Sequence, residues 1–346
     1  MTLLEDLRQP LRPSGRFRDL AGMHLPFDHM LGSDRHEAAA LQLTTTDTRC
    51  VAIVGPPGTG KSSFIAWVAA ALPESHVAVV VQGRALGEPG NLEEFLLALL
   101  KQGLTQARAF GGGADDVERA GADSVATTTS PASVRGGELG GGPIPAKLTI
   151  ELESLAEEVR RNPRDLDRLS GIERLIGNFN HHGRTPVFIL HDAEAHLGAD
   201  ADQQQRNAFF NTVVGALAND IAAPSLLAVQ TRYLSDAAYQ AIAPTLIEFQ
   251  IPTIGDLPAT LEALLSHRMQ FWGIGAHARD AFTEPALVAL AARYSDRGDL
   301  RDMLSVADAA VVHALDDADL SDGQTGDTQV DQADVFAAIG GASSRG

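Results

Sequence analysis

The densest chemistry in the 346-residue chain lies in eight consecutive residues, Gly55-Pro56-Pro57-Gly58-Thr59-Gly60-Lys61-Ser62. Glycines at 55, 58 and 60 let backbone N–H groups close around an anion with no β-carbon in the way. The Lys61 ammonium can reach β- and γ-phosphates, and the Ser62 hydroxyl can hold Mg²⁺. A helix opening at Ser62 and Ser63 would add its positive N-terminal end. The spacing Gly-x-x-x-x-Gly-Lys-Ser therefore predicts a phosphate loop for a nucleoside triphosphate with magnesium, Gly55 to Ser63 being its binding residues.

Such a loop needs an acid at the end of a neighbouring strand to hold the magnesium shell, and a second acid to polarise the attacking water. The segment Val187-Phe188-Ile189-Leu190-His191-Asp192-Ala193-Glu194-Ala195-His196 offers both, in two registers. In one, Asp192 is the magnesium-side acid and Glu194 the base. In the other, His191 stands in the magnesium position and Asp192 in that of the base. A neutral imidazole is a poor ligand for Mg²⁺, which prefers oxygen, so the second register predicts weak hydrolysis. His196 reads as a polar residue at a helix start.

Strands and helices must position these groups. Cys50 to Val54 is a compact apolar run ending in Gly-Pro, as a buried strand should, with Cys50 a small buried hydrophobe at its start. His76 to Gln82, Pro186 to Leu190, Ser225 to Gln230 and Leu246 to Ile251 read as four further strands. Helical sequence runs from Ser62 to Ala71, from Leu155 to about Asn180 and from Ala208 to Leu217. Another helix, capped by Asn91, carries Leu92, Phe95, Leu96, Leu99 and Leu100 on one face. Strands alternating with helices imply right-handed crossovers and a mostly parallel sheet. Residues 111–145, with Gly111-Gly112-Gly113 and Gly140-Gly141-Gly142-Pro143, form an insertion, either a mobile surface segment or a β-hairpin. After Pro252 only helices are expected, near 258–271, 284–294, 298–315 and 331–339.

A formal net charge of −18 opposes general attraction to nucleic-acid backbones or anionic lipid. One cysteine allows no internal disulfide, and no Cys/His cluster has zinc spacing. Charges and prolines occupy Met1 to Phe17, where a signal peptide would need an apolar core. No stretch approaches the roughly 20 apolar residues of a membrane span. A cytoplasmic protein is the expectation.

On Gly55–Ser62 and the strand ending in His191-Asp192, the chain resembles the AAA+ ATPases of the origin-recognition and replication-initiator type. It is also similar to ATPase modules of transposition and secretion systems and to STAND-type signalling proteins. Two further places carry the resemblance. The strand Leu226-Leu227-Ala228-Val229-Gln230-Thr231-Arg232 ends where that family has a polar sensor near the γ-phosphate, a role implied for Gln230 or Thr231. Arg297-Gly298-Asp299-Leu300-Arg301 matches a lid pattern, Gly-Asp-x-Arg, whose arginine reaches back to the nucleotide; Arg301 takes that position. A trans-acting arginine has no clear match, Arg232 and Arg206 being the fallback candidates. No winged helix follows, so direct DNA binding is not carried over from the family.

The resemblance implies an α/β fold: a P-loop NTPase parallel sheet flanked by helices over residues 1–254, then a small all-helical AAA+-like lid and tail over 255–346. It implies ATP and Mg²⁺ as cofactors, bound in the cleft between these parts, and a protein partner or homo-oligomer. Two functions follow. One is an ATPase that remodels or assembles a protein partner. The other is a non-hydrolysing ATP-dependent switch in a signalling or multiprotein assembly, favoured by the irregular His191-Asp192-Ala193-Glu194 segment. The absence of a guanine-specifying Asn-Lys-x-Asp segment points to ATP over GTP.

Overall fold

A computed structural model provides the fold. The structure describes residues 3–12, 17–27, 36–46, 49–81, 91–111, 154–155, 157, 167–191, 197, 201–252, 257–320 and 328–343. The insertion expected at 111–145 lies, from residue 112 onward, outside the described residues. The chain divides into two compact units, one of Ala38–Gly55 and Ile65–Gln250, the other of Met1–Glu37, Pro56–Phe64 and Ile251–Gly346.

The first unit is built on five parallel strands: β1 (Cys50–Gly55), β2 (His76–Val80), β3 (Thr185–Leu190), β4 (Ser225–Gln230) and β5 (Ile247–Gln250). All five expected strands are present, in the order β2-β3-β4-β1-β5. This is an α/β fold, the sheet flanked by α1 (His36–Thr46), α2 (Lys61–Ala70), α3 (Leu92–Gly111), α4 (Arg168–His181), α5 (Gln203–Phe209) and α6 (Ala237–Ile242). The chain leaves β1 for β2, beyond β3 and β4, and leaves β4 in the other direction, past β1, to β5. Right-handed crossovers in opposite directions lie on opposite faces of the sheet, so the carboxyl ends of β1 and β4 flank a topological switch point. That is where an open α/β sheet offers a crevice.

Alternation along the strands builds the core. Cys50, Ala52 and Val54 join a buried cluster with Phe95 and Leu99 of α3, Leu175 and Phe179 of α4, and Phe209 of α5. Val51 and Ile53 are as deeply buried and point to the opposite face. β5, at one edge, alternates half-buried and exposed residues. Asn91 caps α3 as expected, its Oδ1 accepting from Glu94 N at 3.2 Å. Phe95, Leu96, Leu99 and Leu100 are buried, whereas Leu92, in the first turn, is exposed.

The helix expected over Ala208–Leu217 differs from the expectation. It begins as α5 and widens into two π-helical turns, Phe210–Val214 and Ala216–Asp220, closed by bonds such as Ile221 N to Ala216 O at 2.9 Å. The wider turn accommodates two adjacent buried rings, Phe209 and Phe210, the latter edge-on to Tyr233 and Tyr239.

The second unit contains α7 (Leu257–Phe271), α8 (Ala278–Ala281), α9 (Glu284–Arg297), α10 (Leu300–Leu320) and α11 (Gln332–Ser343), with two short helical turns, Leu3–Asp6 and Phe17–Gly22. Its core sets Leu4, Leu7 and Leu11 among Leu265, Met269, Leu290 and a series of alanines. The residues that precede the sheet thus share a core with those that follow it. Arg268 of α7 is buried and donates through Nε to Pro10 O at 2.6 Å and through a terminal nitrogen to Arg12 O at 2.7 Å. The region is not purely helical: Phe282 and Val330 form a parallel bridge that satisfies backbone groups left over where α8 ends. Among the described residues no helix is long and apolar enough to cross a membrane.

Candidate functional site

β1 runs without a break into Gly55, which pairs with Gln230 at the carboxyl end of β4. The chain then turns through Pro56 and Pro57, both exposed, to Gly58 and Gly60, with φ of +68° and +88°. A β-carbon is strained at either value, which is why this turn uses glycine. Thr59 Oγ1 donates to Pro56 O at 2.9 Å. The backbone N–H groups of Gly58, Thr59 and Gly60 donate to no other described residue. Three neighbouring donors left open at a left-handed turn are the arrangement that takes up anionic oxygens.

Lys61 opens α2, and Gly60 O accepts the first helical bond, from Phe64 N at 2.9 Å. The Lys61 side chain is buried, its ammonium donating to Pro56 O at 2.6 Å, so it lies along the loop. Ser62 and Ser63 follow, half-buried in the first turn. The loop therefore offers a cation, open N–H donors, a hydroxyl and a helix N-terminus. A phosphate chain and a magnesium ion fit that donor set.

Behind the start of α2 is an aromatic cluster that the sequence reading did not single out. Phe64 meets Phe27 at 5.4 Å and His24 at 5.6 Å between ring centroids. Glu37 holds this segment in place, its Oε1 receiving His24 Nε2 at 3.1 Å and Phe27 N at 2.6 Å. These bonds keep the Glu37 carboxyl below its usual range although burial, the largest single influence, acts the other way. The sequence signal was the mostly apolar run from Leu20 to Phe27, interrupted only by His24.

Gln230 is 3% exposed, and its side-chain Oε1 has no hydrogen-bond partner among the described residues. A buried amide oxygen left unpaired is costly in a folded protein and is common where a ligand or water completes the bond. Thr231, the other candidate on this strand, is exposed and begins a 3₁₀ turn. β3 ends at buried Leu190, and His191 is the first residue past it. Asp192, Glu194 and His196 lie outside the described residues.

The two fallback arginines differ in engagement. Arg206 pairs with Asp236 at 2.9 Å and donates to Ala201 O at 2.7 Å. Arg232, exposed on the turn after Gln230, lies 4.9 Å from the centroid of the Tyr233 ring and donates to its hydroxyl. Arg301, in the first turn of α10, is exposed, and its guanidinium pairs with no described residue. The residue missed by the sequence reading is Asp299. Asp299 packs on Gly58, and the N–H of Leu300 donates to Gly58 O at 3.1 Å. The structure thus brings the loop and the Asp299–Arg301 turn together in one unit, and Gly55 and Gln230 together in the other.

Cys50 is fully buried, and burial pushes its thiol up to about 12, which makes it a packing residue and not a nucleophile. Scanned against models of known protein families the chain matches none, and a search of curated proteins returns no match.

Proposed function

We propose that this chain is an AAA+-like ATP-binding protein that hydrolyses ATP to remodel or assemble a protein partner. The observation that carries the reading is the loop at the end of β1. At a turn with two positive-φ glycines, three N–H groups have no acceptor among the described residues, and a buried lysine and two serines follow. That the loop follows directly on β1 in the chain, and that only helices and a single bridge follow the sheet among the described residues, supports a P-loop NTPase with an AAA+-like lid.

In this reading the N–H groups of Gly58 to Gly60 and the helix end bind the phosphates, and Lys61 turns from Pro56 O to the β- and γ-oxygens. Ser62 Oγ and the Asp192 carboxylate are the side chains assigned to the magnesium ion. Bound Mg²⁺ would neutralise the charge that develops on the transferred phosphoryl group. Gln230, which pairs with Gly55 at the end of its strand, is the side chain assigned to orient the attacking water. Glu194, or Asp192 in the alternative register, takes up that water's proton. Arg301 offers a planar fork to the γ-phosphate.

A second reading, a non-hydrolysing switch, is favoured by one observation: the first residue past β3 is His191, where the magnesium-side acid would stand in one register. Magnesium-dependent phosphate release from ATP, measured beside Asp192→Asn, separates the two. Turnover present in the natural chain and lost in the variant is expected. Tight binding with no turnover in either protein would overturn hydrolysis and leave the switch.

A further inference from the structure

The residues just before Arg301 are the ones that grip the phosphate loop. Leu300 N donates to Gly58 O at 3.1 Å. A β-carbon placed on Gly58 would stand 1.9 Å from Asp299 Oδ1 and 2.8 Å from Asp299 Cα. Asp299 therefore lies against a face of Gly58 that only glycine leaves open.

The same carboxylate builds the helix that carries Arg301. Asp299 Oδ1 accepts from Arg301 N at 2.8 Å and Asp302 N at 3.4 Å, an N-cap for α10. Asp302 then holds Arg293 of α9 through both its oxygens, at 2.6 and 3.1 Å. Gly298, with φ of +67°, ends α9 and turns the chain into Asp299. The Leu300 side chain lines an apolar pocket with Leu261, Tyr294 and Met303. The first turn of α10 is thus fixed on one side to the α9 scaffold and on the other to Gly58.

We propose that Asp299 is a positioning residue for the nucleotide site: by clasping Gly58 while capping α10, it sets where Arg301 stands relative to the bound phosphates. This rests on the reading of Gly55–Ser62 as a triphosphate site. An exposed arginine has many rotamers, and it contributes to binding only when its backbone is held at a constant place beside the ligand. The clasp supplies that constancy, because the loop that binds phosphate and the turn that bears Arg301 move as one piece.

The test is the affinity of the full chain for Mg-ATP in five forms: natural, Arg301→Ala, Asp299→Ala, the double variant and Asp299→Asn. Arg301→Ala and Asp299→Ala should each weaken binding about tenfold, an ordinary coupling between two sites. The double variant should be no weaker than either alone, and Asp299→Asn should stay near the natural value, since asparagine caps as well as aspartate. Multiplying effects in the double variant, or an Asp299→Ala chain that binds ATP normally, would overturn the proposal. A natural chain that binds no ATP would instead sink the triphosphate reading. The clasp itself is then judged in the nucleotide-free chain by exchange of the Leu300 amide. Gly58→Ala should accelerate that exchange while amides beyond Ser305 stay protected; unchanged Leu300 protection would show that no clasp exists.

Discussion

The two cores of this protein are made from different materials. The one beneath the sheet is filled by large rings, among them Phe95, Phe179, Phe188, Phe209, Phe210 and Tyr239. The one in the helical unit is filled mainly by alanine and leucine, with Ala278, Ala281, Ala286, Ala307 and Ala310 buried beside Leu265, Leu287 and Leu290, and Phe282 is the single buried ring among the described residues of that cluster. Large rings fill the wide gap between a sheet and its covering helices. Small residues let helices approach closely, and they leave less apolar area to bury per residue. The helical unit makes up part of that difference with polar clasps between distant segments: Arg268 on the carbonyls of Pro10 and Arg12, Leu300 on Gly58, and His313 on Asp334. A sheet unit held by rings should resist local change, while a helical unit held by a few directed bonds is the better place for a part that responds to a ligand.

That contrast can be broken from each side. Phe179→Ala should cost about 3–5 kcal/mol of stability, by lost burial and the cavity left behind. Ala310→Leu should cost about 1–3 kcal/mol by overpacking a close helix contact. Chemical denaturation of both variants checks the order, and an Ala310→Leu chain of unchanged stability would mean that the helical core is loose. Arg268→Met keeps the length of the stem and strands two carbonyls, so a loss of about 1–3 kcal/mol is expected. Burial pulls the Arg268 guanidinium down to about 10, yet it stays charged at neutral pH, and its buried charge offsets part of what its bonds contribute. Proteolysis near the N-terminus should rise in this variant; unchanged cleavage would show that the Arg268 bonds do not hold that segment.

The smallest effect concerns pH. His313 Nδ1 lies 2.8 Å from Asp334 Oδ1 and 3.5 Å from Asp317 Oδ2, with Asp316 nearby. The hydrogen bond to Asp334, first, and these negative charges raise its pKa above the ordinary 6.5. A raised pKa means that the folded state holds the proton more tightly than the unfolded one. The stabilisation is therefore complete below 6.5 and is lost as pH rises through the higher folded value. Melting temperature followed upward from about pH 6 should fall slightly more for the natural chain than for His313→Gln. Parallel curves would remove this clasp from the account.

Much of the sheet unit was legible before any coordinates, because its information is local. Cys50–Val54 and Ser225–Gln230 are apolar runs closed by turn residues, and Asn91 stands before an amphipathic run. The glycine turn between β1 and α2 was legible for the same reason: its glycine spacing and its lysine lie within eight residues. The helical unit was harder. Leu4, Leu7 and Leu11 sit in a polar, proline-containing stretch, and only their partners in α7 and α10 show that they are core. Asp299 looked like one member of a Gly-Asp-x-Arg pattern, and its contact with Gly58 joins residues far apart in the chain. The paired rings Phe209-Phe210 fit an ordinary helical period, so nothing local announced the wider turns. Gln230 was a candidate by position; that its side-chain oxygen is buried with no partner among the described residues needed the packed structure.

The most direct test of the account is equilibrium binding of Mg-ATP to the full chain, beside Lys61→Ala. Saturable, magnesium-dependent binding by the natural chain that disappears in the variant is the predicted result. Equal affinity in the two proteins, or none in the natural chain, would contradict the assignment of Gly55–Ser62 as a nucleotide site.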